Sequence, residues 1–345
     1  MLCEYIRSSS YTQWDFCQQQ YFITYVLGYN GPSGQKAEIG TMVHKVMECL
    51  ANLKKAEQDL TGRKSKLSFT DDAVGLVEVH KNDLRSNELI ESLIEISYQH
   101  YKSTSIHKWP PRFRKDVVDL TYKILAWSKG AFDPRNRNIL YPEPHFDITI
   151  DEPWAAFEGK DQDGKPVKGQ LGIKGTIDLV TTVDDNTIEV IDWKTGQRKN
   201  WATGAEKDLE ALRNDPQLLL YYYAISHMFP QYEHAIMTIF FVRDGGPFSL
   251  CFDTSDRDRF LDMLKKRFLE IKKSINPQAL KFRDHATKPN WKCSRLCHFY
   301  KNNWPGTETR MCNYVEDHIK KEGIDSAVKN LTKDGFSVGY YEAPG

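Results

Sequence analysis

Two carboxylates and one amine fall close together in a predicted β-hairpin. Asp178 ends the segment Gly-Thr-Ile-Asp, and Asp192 and Lys194 follow, after a short polar turn, in the segment Ile-Asp-Trp-Lys-Thr-Gly. If the turn is centred on Asp185, an antiparallel ladder pairs Asp178 with Asp192, and their Cβ atoms then lie roughly 4.5–5.5 Å apart. Lys194 returns to the same strand face as Asp192, because side chains alternate along a strand. We therefore expect the three charged groups to converge.

The neighbours of these charges indicate a covered hairpin rather than a solvated one. They are apolar on both sides of the charged positions: Leu179, Val180, Val190, Ile191 and Trp193. A hairpin with one solvated face should instead alternate polar and apolar residues. Burying two like charges together would cost roughly several kcal/mol or more, which a divalent cation would offset. The sequence thus predicts a metal site, and the alternative is a surface hairpin with scattered charges.

Four motifs, taken in chain order, resemble those of the PD-(D/E)XK nuclease superfamily. The resemblance is strongest to RecB-like exonucleases, which include the CRISPR-associated RecB-like and AddB-type enzymes. The motifs are Gly-x-x-x-His ending at His44, Gly-x-x-Asp ending at Asp178, Asp-x-Lys at Asp192 and Lys194, and Gln-x-x-x-Tyr at Gln217 and Tyr221. The resemblance implies a mixed central sheet flanked by helices, which is an α/β fold.

The resemblance also implies a role for each of these residues. A metal would be bound by His44, Asp178, Asp192 and the carbonyl of Trp193. Lys194 would act in catalysis, and Gln217 with Tyr221 would position the substrate or the lysine. Hydrolysis of a phosphodiester needs an activated water and neutralisation of charge on the phosphate, which Mg²⁺ or Mn²⁺ held by carboxylates can supply. An imidazole ligand shifts the preference somewhat toward Mn²⁺.

Several of these residues have a simpler interpretation. Taken alone, His44 is more often a helix histidine with a satisfied hydrogen bond. Glu48 lies one turn further along the same helix face and could support the imidazole or be a solvated charge. The Gln217–Tyr221 segment would be a buried core helix whatever the function, because leucine and tyrosine surround it. Glu143 resembles a glutamate that precedes the core hairpin in relatives, although Pro-Glu-Pro is also common in turns.

The cysteines form a second candidate site. Cys17 lies near the start of the chain, and Cys293, Cys297 and Cys312 lie near its end. This order resembles the iron–sulfur site of RecB-like nucleases, in which four thiolates bind a [4Fe–4S] cluster that ties the chain ends together. The spacing departs from that family, which usually has Cys-x-x-Cys and a close third cysteine. Zinc on the same thiolates, with His298 as a substitute ligand, is the main alternative, and buried thiols are the simplest one.

Composition sets broader limits. The chain has 345 residues, 40% of them hydrophobic, and a net charge of zero. It has no apolar run of the roughly 20 residues that a membrane helix needs, and its polar start is not typical of a signal peptide. We expect a cytoplasmic, reducing compartment, and a phage or mobile element would suit a nuclease of this size. Affinity for DNA would have to come from local basic patches, for which the candidates are Lys64 with Lys66, residues 112–115 and residues 265–273.

The hydrophobic periodicity, the positions of glycine and proline, and the resemblance together predict five regions. Residues 1–51 should hold N-terminal helices, including an aromatic helix at about 11–27, together with Cys17 and His44. Residues 52–138 should be irregular at about 60–80 and helical near 87–101 and 115–127, and the resemblance implies that they form a helical insertion over the nucleic-acid channel. Residues 139–275 should be the nuclease core, with strands near 235–242 and 249–252 and a helix near 256–275. Residues 276–322 hold the cysteine cluster, and 323–345 form a loosely held tail.

The sequence therefore predicts a metal-dependent DNA exonuclease acting on single strands or ends in replication, recombination or repair. Trp14, Trp109 and Trp201 could stack on unpaired bases or belong to the core. Two other classes fit the same fold. One is a non-catalytic DNA-binding or assembly subunit, and the other is a sequence-specific endonuclease.

Overall fold

The computed structural model describes residues 1–61, 65–161, 163–199, 204–279 and 290–336. It has a mixed α/β architecture in which helices cover both faces of a mixed sheet, as the motifs predicted. The strands are β1 (Tyr5–Ile6), β2 (Lys66–Asp71), β3 (Gly75–His80), β4 (Ile139–Pro142), β5 (His145–Thr149), β6 (Ala156–Lys160), β7 (Pro166–Gln170), β8 (Gly172–Thr176), β9 (Leu179–Thr182), β10 (Thr187–Lys194), β11 (His234–Phe241) and β12 (Gly246–Phe252).

The helices occur in groups between runs of strands along the chain. They are α1 (Ser8–Phe16), α2 (Gln18–Tyr21), α3 (Gln35–Gln58), α4 (Asn87–Thr104), α5 (Pro111–Ala126), α6 (Leu209–Arg213), α7 (Pro216–Met228), α8 (Thr254–Lys273), α9 (Trp291–Arg295), α10 (His298–Lys301), α11 (Met311–Glu322) and α12 (Ile324–Leu331). Shorter turns are the π-helical segment Phe22–Val26 and the 3₁₀ segments Lys81–Asp83, Trp127–Lys129, Pro134–Asn136 and Pro153–Ala155.

The central sheet has the strand order β12-β11-β10-β9-β4. Strands β10 and β11 run parallel, whereas the β9–β10, β11–β12 and β4–β9 pairs are antiparallel. The β9–β10 register pairs Leu179 with Ile191 and Thr182 with Ile188. That register is centred on Asp185, which confirms the predicted hairpin. A second sheet has the order β1-β8-β5, and β2–β3 and β6–β7 are separate hairpins.

Side-chain alternation along β10 sends apolar residues into two cores. Ile188 and Val190 join a core formed with α1, α2, α7 and α8 on one face of the sheet. Ile191 and Trp193 join the core on the other face, which is formed with α3, α4 and α5. A strand covered on both faces has to be apolar on both, which explains the continuous apolar run in this segment. Asp192 has the parity of Val190, so it faces the side of α7.

Residues 66–80 differ from the predicted irregular segment, because they form the β2–β3 hairpin. Leu67 and Val77 are buried against α3, and their strand neighbours are largely exposed. The turn is closed by the Asp71 carboxylate, which accepts hydrogen bonds from the backbone of Ala73 and Val74. The alternation around Leu67 and Val77 was the signal that could have identified this hairpin.

The ends of the chain differ from the prediction in two further ways. The predicted continuous helix at 11–27 breaks at Cys17, whose backbone is extended (φ −161°, ψ 107°) and whose sulfur caps α2. The predicted loose tail is helical at α12, where Ile324, Ala327 and Leu331 are buried. Residues 337–345 of that tail lie outside the described residues.

Candidate active site

The two hairpin carboxylates lie side by side where β9 begins and β10 ends. Asp192 is fully buried on β10, and Asp178 is the residue just before β9. The backbone N–H of Trp193 donates to Asp178 Oδ2 at 2.8 Å, which holds the Asp178 side chain against β10. The indole of Trp193 packs into the core on the opposite face. The backbone of β10 therefore holds the Asp178 side chain beside the strand that carries Asp192.

Lys194 and helix α7 complete this side of the site. The Lys194 ammonium lies 2.9 Å from Asp192 Oδ1 and 2.7 Å from Oδ2. Gln217, in the first turn of α7, donates through Nε2 to Asp192 Oδ1 at 3.1 Å and to Tyr221 Oη at 2.8 Å. Gln217 and Tyr221 are four residues apart, so both face the strand as their spacing predicted.

Helix α3 brings His44 to the opposite side of Asp178. His44 Nδ1 lies 3.2 Å from Asp178 Oδ1. The approach of α3 to the end of β10 is close, because a Cβ atom at Gly40 would lie 2.8 Å from Thr195 Oγ1. The Gly-x-x-x-His motif thus has a steric basis, in which the glycine lets the helix approach and the histidine four residues later faces Asp178.

Gly40→Ala is expected to push α3 away from β10, because a contact of 2.8 Å forces one of the two groups to move. We expect a loss of about 1 kcal/mol in stability and a several-fold loss of any activity that needs His44. Thr195→Ala should restore both in the double variant, because the Thr195 Cβ lies 4.0 Å from the added methyl group. Urea unfolding and cleavage rates of the four proteins measure the coupling. Additive effects in the double variant would contradict this explanation.

Burial and mutual contact shift the protonation of this group. Burial and the neighbouring Asp178 raise the pKa of Asp192 to about 6, although Lys194 opposes the shift. Burial alone would raise the pKa of Asp178, but His44, Lys194 and the Trp193 N–H lower it. Burial would lower the pKa of His44, and contact with Asp178 raises it instead. These shifts arise where the fully buried carboxylate of Asp192 lies near the partly exposed one of Asp178.

The donor set fits a divalent cation. Asp192 Oδ2 is buried, and among the described residues it has the Lys194 ammonium at 2.7 Å as an ion-pair partner but no well-aligned hydrogen bond. Two carboxylates and an imidazole are ligands that Mg²⁺ or Mn²⁺ accept. As the side chains stand, no group of three or more His, Cys, Asp or Glu within the described ranges is arranged to hold a metal ion. The carboxylates are instead held by Lys194 and His44.

A second acidic pair extends the site along α3. Glu48 and Glu143 line the same pocket, and burial together with the neighbouring Glu143 raises the pKa of Glu48 to about 8. Lys45 contacts both Glu48, at 2.5 Å, and Asp71, at 2.8 Å. Glu143 has a left-handed backbone (φ 46°), and its N–H donates to the carbonyl of Asp178 at 3.2 Å. The sequence identified both glutamates but not their contact.

Glu48→Gln is expected to make the protein more stable than wild type as the pH rises. A carboxyl whose folded pKa is raised from 4.5 to about 8 stabilises the fold when protonated, and that contribution is lost between these two values. We expect the variant to gain roughly 1–3 kcal/mol on wild type across this interval. Lys45 keeps its contact with Asp71 in both proteins. Urea unfolding at several pH values measures the difference.

Glu57→Gln is the matched control for that experiment. Glu57 contacts Lys54 on the same helix with the same i,i+3 spacing, at 2.7 Å. We expect this variant to follow the pH dependence of wild type. A Glu48→Gln protein whose stability runs parallel to wild type at every pH would show that Glu48 does not ionise at a raised pKa.

The four predicted cluster cysteines line one cavity. Cys17, Cys293, Cys297 and Cys312 meet there from three separate parts of the chain, with Ile23 and aromatic side chains around them. Burial raises the pKa of Cys297. Hydrogen bonds from the backbone N–H groups of Tyr300 and Phe299 partly oppose this rise. All seven cysteines lie in the described residues, and none forms a disulfide. Cys251 is exposed, whereas Cys3 and Cys49 are buried elsewhere.

The other residues predicted to contact DNA differ in their exposure. Trp14 is buried in the core, and Trp109 packs edge-on against Tyr98 and Phe113. Trp201 and Lys64 lie outside the described residues. Lys66 is exposed and pairs with Glu78. None of the helices in the described residues has the length and apolar character that crossing a bilayer requires.

Comparison with known proteins gives one family match. The sequence model of the PD-(D/E)XK nuclease superfamily matches residues 8–301. Among solved structures, one described as a "putative exonuclease" from Eubacterium rectale is similar, with 10% identity, a TM-score of 0.42, and coverage of 81% of this chain and 86% of that one. The structure of SSO0001 shares 14% identity, with a TM-score of 0.26 and coverage of 75% and 91%. A search of curated protein sequences gives no match.

Proposed function

Because this chain belongs to the PD-(D/E)XK nuclease superfamily, whose members are generally phosphodiester hydrolases, we propose that it is a metal-dependent DNA exonuclease. Its substrate would be single-stranded DNA or DNA ends, in replication, recombination or repair. The observation that carries the proposal is the fully buried Asp192 carboxylate, which lies between Lys194 and Gln217 on the same face as Asp178. A buried carboxylate with this surrounding is costly to keep unless it has a chemical use.

The metal would be held by His44, Asp178, Asp192 and the Trp193 carbonyl. When bound, Mg²⁺ or Mn²⁺ would lower the pKa of water and neutralise charge on the scissile phosphate. The two carboxylates already lie together, and His44 lies beside Asp178. Metal binding would require the Lys194 ammonium to release Asp192 and the His44 imidazole to release Asp178.

Lys194 would orient the attacking water or stabilise charge on the phosphate. Its pKa is raised because the attraction of Asp192 and Asp178 outweighs its burial. It therefore stays an ammonium ion and can donate hydrogen bonds to an anionic phosphate. Gln217 would hold Asp192 in place through its amide, and Tyr221 would fix the orientation of that amide.

We further propose that the thiols of Cys17, Cys293, Cys297 and Cys312 bind a [4Fe–4S] cluster, with zinc as the alternative. Support comes from their convergence on one cavity. A cluster there would link the N-terminal helices to α9–α11 and so close the two ends of the chain around the core. We also propose that residues 52–138 form the roof of the nucleic-acid channel. They share a core with α3 and one face of the sheet.

End-labelled single-stranded DNA incubated with Mn²⁺ or Mg²⁺ tests the activity. We expect nucleotides to be released from the ends by wild type, and Asp192→Ala to reduce the rate by at least about 100-fold. Asp185→Asn, in the exposed hairpin turn, is the control and should be fully active. Discrete fragments from circular duplex DNA would indicate an endonuclease. DNA binding without cleavage in either metal would indicate a non-catalytic subunit.

A further inference from the structure

Asp215 holds two groups at the start of α7. Its side chain is buried, with 6% exposed. Oδ1 accepts a hydrogen bond from the backbone N–H of Gln217 at 2.9 Å, which caps the helix. Oδ2 accepts from the ammonium of Lys207. One carboxylate therefore joins the residue that contacts Asp192 to a lysine eight positions earlier.

Lys207 is itself held from the opposite side. Its backbone N–H donates to the carbonyl of Arg198 at 3.1 Å, and the Arg198 guanidinium donates to the Lys207 carbonyl. Arg198 is anchored to the sheet, because its N–H donates to Asp244 at 2.8 Å and its guanidinium lies 4.6 Å above the ring of Phe248. Arg198, four residues after Lys194, is thus held against the sheet. Lys207 contacts Arg198 through its backbone and contacts Asp215, at the start of α7, through its side chain.

We propose that the Lys207–Asp215 ion pair positions Gln217, by fixing the first turn of α7 against the end of the catalytic strand. The expected changes in kcat and KM rest on the proposed function, because they require that the protein cleaves DNA. A buried carboxylate that loses its cation is strongly destabilised, so Asp215 would turn outward and release the Gln217 N–H. Gln217 would then no longer hold its amide at 3.1 Å from Asp192. Lys207 is a positioning residue in this scheme and makes no contact with the reacting groups.

The test compares Lys207→Met, Lys207→Arg, Asp215→Asn and Asp208→Asn with wild type. Asp208 is the matched control, because its carboxylate also caps a helix, accepting from the N–H of Ala211 at 2.8 Å, but is exposed. The readouts are kcat and KM for Mn²⁺-dependent cleavage of end-labelled single-stranded DNA, and hydrogen–deuterium exchange of peptides covering residues 209–221.

Lys207→Met should lower kcat about 10-fold, since a small misplacement of a catalytic group is costly, with KM within about twofold of wild type. Exchange at the start of α7 should be faster. Asp215→Asn should lower kcat and speed exchange less than Lys207→Met does, because asparagine still caps the helix and loses only the ion pair. Lys207→Arg should recover most of kcat, and Asp208→Asn should match wild type.

Two kinetic results would overturn the inference. One is an unchanged kcat with unchanged exchange in Lys207→Met, and the other is a rise in KM alone, which would make Lys207 a substrate contact. If wild type cleaves no DNA, the proposed function fails, and exchange alone then decides. In that case faster exchange in Lys207→Met, but not in Asp208→Asn, supports the ordering of Gln217, and unchanged exchange overturns it.

Discussion

Lys194→Met is expected to reduce DNA cleavage by about 10³-fold, because a preorganised charge at the reacting phosphate is worth several kcal/mol in a dry site. The same change should strengthen Mn²⁺ binding. The Lys194 ammonium lies within 2.9 Å of both oxygens of Asp192, so it competes with a metal for that carboxylate. Cleavage rates and Mn²⁺ titrations followed by electron paramagnetic resonance measure the two effects on one protein.

Because cleavage should fall while Mn²⁺ binding strengthens, the two measurements distinguish a catalytic role of Lys194 from a structural one. If Lys194 served only to neutralise Asp192, a bound metal would replace it and activity would survive the substitution. If it served only to hold the fold, both activity and Mn²⁺ binding would fall. Lys174→Met is the control, because Lys174 pairs with Asp147 at 2.9 Å on the neighbouring small sheet. We expect this control to be close to wild type in both assays.

The hairpin that carries Asp178, Asp192 and Lys194 was predictable because its geometry is local. A strand repeats every two residues and a short turn sets the register, so the positions of Asp178, Asp192 and Lys194 on one face followed from counting. The i,i+4 spacing of Gln217 and Tyr221 likewise put both on one side of a helix. The hairpin has the register that this count requires, although the ladder ends at the Leu179–Ile191 pair, one residue short of Asp178 and Asp192. Gln217 and Tyr221 are in contact, as their spacing required.

Contacts between distant segments were not predictable in this way. The approach of Gly40 to Thr195 depends on how α3 lies across the sheet, and the sequence contains no sign of that angle. The ion pair between Lys207 and Asp215 joins a loop to a helix cap and follows no period. His44 was assigned to the site only through the resemblance to a family. The structure gives that assignment a physical basis, because His44 Nδ1 lies 3.2 Å from Asp178 Oδ1.

The prediction of one continuous helix at residues 11–27 was wrong at Cys17. The aromatic residues from 11 to 27 favour one helix, and nothing in their propensities interrupts it. The break arises where the Cys17 sulfur accepts a hydrogen bond from the N–H of Gln20 at 3.4 Å. This break turns the thiol toward the cavity shared with Cys293. Tertiary packing around a prospective ligand site therefore overrode helix propensity here.

The second large effect is expected at that cavity. Cys297→Ser should remove the visible absorption and the iron of the purified protein, and lower its stability by at least about 3 kcal/mol, because a structural metal site contributes folding energy directly. Cys17 and Cys297 each begin a short helix, so their loss would release both ends of the chain from the core. Iron analysis, absorption spectra and urea unfolding provide the three measurements.

Cys251→Ser is the matched control, because Cys251 is an exposed cysteine on β12 away from the cavity. It should keep the colour, the iron and the stability of wild type. A colourless wild-type protein that contains zinc would replace iron–sulfur by zinc while keeping the four ligands. A metal-free wild type whose stability is unaffected by Cys297→Ser would leave the thiols as packing groups. In that case the two ends of the chain would be joined by apolar packing around the cavity, which includes Ile23 and Phe299, and by hydrogen bonds such as the one that Gln19 donates to the Cys312 carbonyl.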